Sequence, residues 1–217
     1  MYPIKYEADY ERHPNRVTTF FRYILAIPWL IVAYIYLIAG FFTHLVAWFA
    51  VVILGRYPDG LYNFNSGIVR YLARTNAWLY LQTDKFPPFG LSPDPTYPVR
   101  LEIAPAAEKQ SRLKALFRII LIIPALIVAA VVQYIHLGAA MVAWLTIVFR
   151  GYQPAGIHNA LTFTNGYNAR VYGYFALLTD TYPPVGDEAV QVGDVRASAP
   201  AAPAAPPPAA PGGAPAG

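Results

Sequence analysis

One uncharged stretch constrains this chain more than any other feature. No Asp, Glu, Lys or Arg occurs from Tyr23 to Gly55, a run of 33 residues. As a helix, this run is about 50 Å long, which exceeds the ~30 Å hydrocarbon core of a bilayer. Including Val17–Phe21, with Arg22 snorkelling toward the headgroups, gives about 19 residues for each of two legs. The sequence therefore predicts a transmembrane helical hairpin that turns near Ile38–Thr43, where Gly40 lies.

The composition agrees with a membrane protein. Hydrophobic residues make up 56% of the 217 residues and charged residues 13%, about half the usual charged fraction. A soluble domain of this size needs more charge to cover its surface. The chain has no Cys, which excludes disulfides, thiolate metal sites and cysteine nucleophiles.

The chain is a tandem duplication with a spacing of 96 residues. Between 16–90 and 112–186, 28 of the 75 aligned positions are identical, far more than chance allows. A second block, Ile119–Phe149, contains no Asp, Glu, Lys or Arg and predicts a second hairpin that turns near His136–Ala139. Pro28 and Pro124 lie in the first leg of each hairpin, where proline removes a backbone hydrogen bond and bends the helix.

The other segments complete two equivalent units. Residues 2–9 and 97–104 alternate apolar and polar side chains, which predicts two short strands that pair with each other across the repeats. Low-charge aromatic segments at 60–82 and 155–178 predict interfacial amphipathic helices, each stopped by Pro-Pro. The predicted fold is thus an all-α integral membrane protein of two tandem repeats, each a short β-strand, a transmembrane helical hairpin and an interfacial helix. The predicted domains are repeat 1 at 1–90, repeat 2 at 91–186 and a disordered Pro/Ala-rich tail at 187–217.

The basic residues predict the topology. All sixteen Lys and Arg lie in 5–22, 56–118 or 150–196. If each block crossed the bilayer once, nine basic residues would face seven, which leaves little positive-inside bias. Two hairpins instead place every charge on one side. This arrangement predicts a multi-pass protein of the cell membrane with both termini in the cytoplasm.

Seven arginines are the candidate contacts to anionic lipid headgroups. They flank the first leg of each hairpin or lie on the interfacial helices: Arg16, Arg22, Arg70, Arg74, Arg112, Arg118 and Arg170. Simple anchoring by snorkelling is the alternative for the flanking residues. Asp84 and Asp180 follow Thr just before Pro-Pro, a context typical of turns.

The sequence predicts no cofactor, metal or catalytic residue. The four histidines, His13, His44, His136 and His158, have no metal-ligand spacing with another ligand type. Ser66 and Ser111 have no histidine or acid partner at a recognisable spacing. The basic residues are too sparse for nucleic-acid binding, and no glycine-rich phosphate loop is present.

These residues also carry a family resemblance. The pattern R-x-x-x-x-F-R-x-I-L-x-I-P, then V-A-W-F-A-x-x-x-x-G-R-Y-P, then L-x-T-D-x-[FY]-P-P resembles the bacterial domain-of-unknown-function 4389 family over about residues 1–186 in two copies. The resemblance implies a membrane protein, mostly of actinobacteria, with no established activity. Copy two departs at Arg150–Pro154, where the basic residue precedes the glycine.

Three functions were compatible with these features. The favoured hypothesis is a non-enzymatic scaffold or accessory subunit, alone or as an oligomer. It would interact with anionic lipid, or with partner proteins through its cytoplasmic face or tail. A transport or channel component, with a pathway between the hairpins, is the alternative. A lipid-modifying enzyme is the third, and no acid–base pair or metal set favours it.

Overall fold

The computed structural model describes residues 2–186, which form a mostly helical protein with 63% helix. The Pro/Ala-rich tail at 187–217 lies outside the described residues. The elements in chain order are β1 (Ile4–Ala8), α1 (Arg16–Leu25), α2 (Ile27–Leu54), α3 (Asp59–Leu79), β2 (Val99–Ile103), α4 (Arg112–Leu116), α5 (Arg118–Leu121), α6 (Ile123–Arg150) and α7 (Ala155–Phe175).

The predicted hairpins are wrong, because each uncharged block continues as one long helix. Helices α2 and α6 have 28 residues each and run unbroken through the predicted turns. Thr43 donates its hydroxyl back to the carbonyls of Ala39 and Gly40, which is a bond made within a helix. Gly40 does not open a turn. Its missing Cβ lets α2 approach α3, since a Cβ there would lie 3.1 Å from Ile68 Cδ1. Both helices are long and apolar enough to cross a membrane.

The helix is interrupted just before each of the two prolines. Helix α1 ends at Leu25, and α2 begins at Ile27 with Pro28 in its first turn. Copy two breaks in the same place, with α6 beginning at Ile123 before Pro124. Proline is tolerated in the first turn because the backbone N–H there has no helical partner to lose.

The two strands pair as predicted, in an antiparallel ribbon that joins the repeats. Tyr6 lies opposite Leu101, and Ile4 lies opposite Ile103. In the alignment of the two strand sequences, Leu101 is the equivalent of Tyr6 and Ile103 is the equivalent of Ala8. The register is therefore self-complementary about the Tyr6–Leu101 pair, as it would be across a two-fold axis. The inner face of both strands is buried, so this pseudo-dyad runs perpendicular to the ribbon.

Helices α3 and α7 form the interior of the protein, which corrects the expectation that they lie on the bilayer surface. Twelve of the 21 residues of α3 are buried. One side of α3 meets α2, where Tyr71 donates to the Trp29 carbonyl and Trp78 contacts the Trp29 ring. The nearly opposite side, with Ala73 and Ala77, packs in the same apolar core as the ribbon. Helix α7 repeats this arrangement between α6 and β1.

The two copies are interleaved rather than side by side. Helix α1 of the first copy packs on α6 of the second, and α4 of the second packs on α2 of the first. Both long helices end in a glycine, Gly55 and Gly151, with φ of 73° and 75°. These left-handed caps favour glycine. The side chains of Arg112 and Arg16 lie against these glycines, where a Cβ would collide with them.

The protein therefore has three layers along the pseudo-dyad. The charged outer face of the ribbon is at the top, α3 and α7 lie in the middle, and α2 and α6 lie at the bottom and flanks. Exposed side chains of α2 and α6 are almost all apolar. They include Tyr34, Ile35, Phe41, Phe42, Val46, Phe49, Ile53, Tyr134, Met141 and Phe149.

The ribbon register can be tested by engineered disulfides, since the native chain has no cysteine. Lys5 and Glu102 are directly opposite each other, at a Cβ separation of roughly 5 Å. We expect the Lys5→Cys/Glu102→Cys variant to form a disulfide rapidly under mild oxidation, measured by a mobility shift in gels. The control variant Lys5→Cys/Arg100→Cys joins diagonal positions and should react more slowly. Faster reaction of the diagonal pair would contradict the register.

Candidate functional site: buried arginines and an apolar cavity

A buried ion pair closes each repeat. Arg22, which is 1% exposed, donates to the carboxylate of Asp84 and to the carbonyls of Trp78 and Thr83. Its guanidinium also lies over the Trp78 ring, 5.1 Å from the centroid. Burial lowers the pKa of Arg22, and the Asp84 carboxylate opposes that shift. The second carboxylate oxygen of Asp84 accepts from the N–H of Asn15.

Copy two repeats most of this arrangement. Arg118 donates to Asp180 Oδ1 at 2.8 Å and to the Thr179 carbonyl at 3.0 Å. The Asp180 carboxylate also accepts from the N–H of Ser111 at 2.8 Å. Each aspartate thus joins the start of the first helix of its repeat to the segment after the third helix. The sequence had suggested turn residues for Asp84 and Asp180. The signal that it missed is the equal Arg–Asp separation of 62 residues in both copies.

The other predicted lipid contacts divide into three groups. Arg74 is buried and donates to the Ser92 carbonyl at 2.9 Å, and Arg170 is buried and donates to the Pro184 carbonyl at 3.0 Å. Arg70 is half-buried beside Ser66. Arg16 and Arg112 are exposed at the two ends of the molecule. The structure therefore does not bring the seven arginines together, and contact of a lipid headgroup with Arg22, Arg74 or Arg170 would require these buried groups to leave protein partners.

The histidines occupy four different environments. His13 is exposed and lies 3.1 Å from the Gly151 carbonyl oxygen, and His158 is buried beside the Ala8 carbonyl. Burial lowers the pKa of His158. His136 is buried with Nδ1 at 2.6 Å from the Thr164 hydroxyl. His44 is half-buried and stacks on Phe175. Within residues 2–186, no group of three His, Asp or Glu side chains could hold a metal ion.

An apolar cavity of about 490 Å³ lies between the repeats. Its walls come from α2 and α3 of copy one and from α5 and α7 of copy two. The lining includes Leu37, Gly40, Phe41, His44, Leu45, Trp48, Asn65, Ile68, Leu72, Arg118, Ile119, Tyr172 and Phe175. The volume is in the range of small-molecule sites, and a few polar groups in an apolar wall are typical of them.

The equivalent place in copy two is filled by side chains. His136 stands where copy one has Gly40, and Thr164 stands where it has Ile68. The ring of Tyr80 of copy one contacts His136 at 4.3 Å between centroids. The equivalent of Tyr80 beside the open cavity is Ala176 of copy two. Among the described residues, the cavity is thus open at one of these two related places and filled at the other. Sequence reasoning missed this difference, although the substitution of glycine by histidine at equivalent positions is visible in the alignment.

Two tandem copies of one helical unit, each with a helix long and apolar enough to span a membrane and joined by a shared ribbon, define the class of this protein. The model of the family described as Domain of unknown function (DUF4389) matches residues 16–90 and 112–185. The chain belongs to this family, as the resemblance had indicated, with two copies. No curated protein and no solved structure matches the chain.

The Arg22–Asp84 pair should contribute strongly to stability because Arg22 is fully buried. Replacing Arg22 by Gln leaves a largely buried carboxylate without its partner, and we expect the free energy of unfolding to fall by about 3 kcal/mol. The measurement is a denaturant titration of the detergent-solubilised protein. Arg100→Gln, which removes an exposed pair with Asp9, is the control and should cost less than about 1 kcal/mol. Equal losses in both variants would contradict the structural role of the buried pair.

Proposed function

We propose that this protein is a non-enzymatic scaffold of the cell membrane, embedded in the bilayer through α1, α2 and α6. The observation that carries this proposal is the distribution of exposed side chains. Large apolar residues are exposed along almost the whole length of α2 and α6, whereas the ribbon on the opposite side presents Lys5, Glu7, Arg100 and Glu102. An exposed apolar surface of this extent is expected to contact lipid or another protein.

The layer order favours α2 and α6 lying in the plane of the membrane. Helix α2 runs antiparallel to α3 from the Trp29–Trp78 contact to the Thr43–Asn65 hydrogen bond. Strand β2 also runs along α3, from the C-terminal end of α3 to Tyr62, which donates to the Ala104 carbonyl. If α2 crossed the bilayer, the ribbon would therefore also run across the bilayer, at the same depth as α2.

The cost of that orientation is high. Each charged side chain of the ribbon would lie near the hydrocarbon core, at roughly 3 kcal/mol each. The outer edge of each ribbon strand would also leave backbone N–H and C=O groups without partners in lipid. With α2 and α6 in the plane, the apolar layer enters the bilayer and the ribbon remains in water. The in-plane arrangement thus replaces the two crossing hairpins.

The charges at the two ends agree with this placement. One end carries Arg12, Arg16 and Arg150, and the other carries Arg56, Lys109, Arg112 and Lys114. Both ends are basic, so a helix that crossed the bilayer between them would have little positive-inside bias. We place both ends on the cytoplasmic side. The start and the end of the described chain lie together, with the Tyr2 hydroxyl 3.3 Å from the Thr181 carbonyl oxygen, so this placement puts both ends of the described chain on that side.

The scaffold role rests on the surface that remains in water. The ribbon face is available to partner proteins, and the exposed Arg16 and Arg112 are available to anionic headgroups. The alternative, a transport pathway between two hairpins, has less support, because α2 and α6 run unbroken through the predicted turns. The scaffold is therefore the hypothesis that we retain.

Cysteine labelling separates the in-plane placement from a crossing. Arg12→Cys and Lys109→Cys place single reactive thiols at opposite ends of the molecule in a chain without native cysteine. We expect an impermeant maleimide to label both variants in inside-out vesicles and neither in sealed right-side-out vesicles. Phe42→Cys, in the middle of α2, should resist labelling in both preparations and serves as the embedded control. Labelling of the two ends from opposite sides would refute the in-plane placement.

The membrane association itself has a separate test. The full chain should remain in the membrane pellet after extraction at alkaline pH and high salt, since its attachment is apolar. Release of the chain under those conditions would contradict the embedding on which the proposed function depends.

A further inference from the structure

We propose that the cavity between the repeats holds one acyl chain of a bilayer phospholipid, with the ester group of that chain at His44 and Arg118. This inference rests on the proposed embedding of α2 and α6. It names a ligand and a single site, neither of which the scaffold role requires.

The first argument is the position of the mouth of the cavity. Leu37, Phe41 and Leu45 line the cavity and are 51%, 65% and 46% exposed. They belong to the surface of α2 that faces hydrocarbon in the proposed placement. Molecules that reach the mouth from that side are lipids, and their chains are the apolar groups present at high concentration.

The second argument is the size of the cavity. The volume of about 490 Å³ is in the range of small-molecule sites. A partner helix is a rod about 10 Å in diameter and would need a straight groove. A flexible hydrocarbon chain is narrower and can follow the irregular walls formed by Ile68, Leu72 and Phe175. The cavity therefore favours an acyl chain over a helix.

The third argument is the pair of polar groups in the wall. The Nδ1 atom of His44 and the Nε atom of Arg118 are buried and have no hydrogen-bond partner, and both residues line the cavity. Arg118 Nε is a donor, and His44 Nδ1 is a donor in one of its two tautomers. Two buried donors are costly unless an acceptor reaches them. An ester carbonyl on an otherwise apolar chain supplies such an acceptor.

The other polar group of the wall is already used. The side-chain amide of Asn65 donates to the Tyr57 hydroxyl at 2.9 Å, and its oxygen accepts from Thr43 at 2.8 Å. Asn65 therefore adds no strong requirement for a further ligand group. The cavity wall therefore has two unpaired donors, at His44 and Arg118. This matches a ligand with one acceptor group.

Copy two supplies the design of the decisive variant. The triple substitution Gly40→His/Ile68→Thr/Ala176→Tyr gives the walls of the open cavity the residues that fill the place related to it by the pseudo-dyad. Ile68→Thr is included because any Cβ at position 40 lies close to the Ile68 side chain. The reciprocal variant, His136→Ala/Tyr80→Ala, removes two side chains, one from each copy, that fill this related place. It serves as a gain-of-site test that does not depend on the folding of the triple variant.

The experiment uses the full chain reconstituted in phosphatidylcholine vesicles that contain a phosphatidylcholine with a diazirine in one acyl chain. After irradiation, peptide mass spectrometry locates the crosslinks. We expect crosslinks at Leu72 and Tyr172 in the native chain, and a fall of about tenfold at these positions in the triple variant. The reciprocal variant should gain crosslinks at Asn168 and Asn76, the equivalents of Leu72 and Tyr172.

Crosslinks on the exposed surface of α2 and α6, for example at Phe42 and Met141, report the embedding separately. If these surface positions react but the cavity positions do not, the acyl-chain site is refuted and the embedding stands. If the triple variant keeps its cavity crosslinks at the native level, the site is also refuted. Absence of crosslinks at the surface positions would instead refute the proposed function.

Discussion

The antiparallel pairing of β1 and β2 is the constraint on which the rest of the structure depends. An isolated two-stranded ribbon is marginal in water, so this ribbon requires the helices beneath it. Because its register is self-complementary about Tyr6 and Leu101, it imposes a pseudo-dyad on everything attached to it. That symmetry places α3 and α7 on one face of the ribbon, and it places α2 and α6 at equal depth beneath them. The two most apolar helices of the chain therefore share one side of the molecule.

The buried arginine–aspartate pairs hold each repeat in the shape that the ribbon requires. Arg22 and Arg118 lie just before the helix breaks that precede Pro28 and Pro124, and each joins its helix to the segment that follows the third helix of its repeat. An arginine buried in this way is expensive unless all its donors find acceptors. The carbonyls of Thr83 and Thr179 and the neighbouring aromatic rings meet much of that demand. Arg22 and Arg118, which the sequence assigns to lipid, thus have identifiable partners within the protein.

The sequence predicted those parts of the structure that depend on local pattern. The alternation of apolar and polar residues identified the two strands, and the duplication identified two equivalent units. The prolines located the breaks between α1 and α2 and between α5 and α6. The hairpin prediction is wrong because the length and hydrophobicity of the uncharged block do not distinguish two crossings from one long helix, and Gly40 does not by itself indicate a turn. Nothing local distinguishes a glycine that opens a turn from one that admits Ile68 of a neighbouring helix. The ion pairs and the cavity were missed for the same reason, since both are made by residues distant in the chain.

The most informative sequence differences between the two copies are at buried positions. In one half of the ribbon interface, Gln82 accepts from Tyr6 and Asn165 and donates to Thr162. The equivalent positions in the other half are Leu178, Leu101, Val69 and Ser66, in which polar groups are largely replaced by apolar ones.

A symmetric dimer of copy one would place Gln82 against Ser66 and Val69, so that part of its hydrogen-bonding capacity would be unmet in a buried site. Such a polar network is satisfied only when a first copy meets a second copy. Fusion into one chain guarantees that encounter. The same asymmetry that specifies the pairing leaves one cavity open and the other filled, so specialisation of a single site follows from the duplication itself.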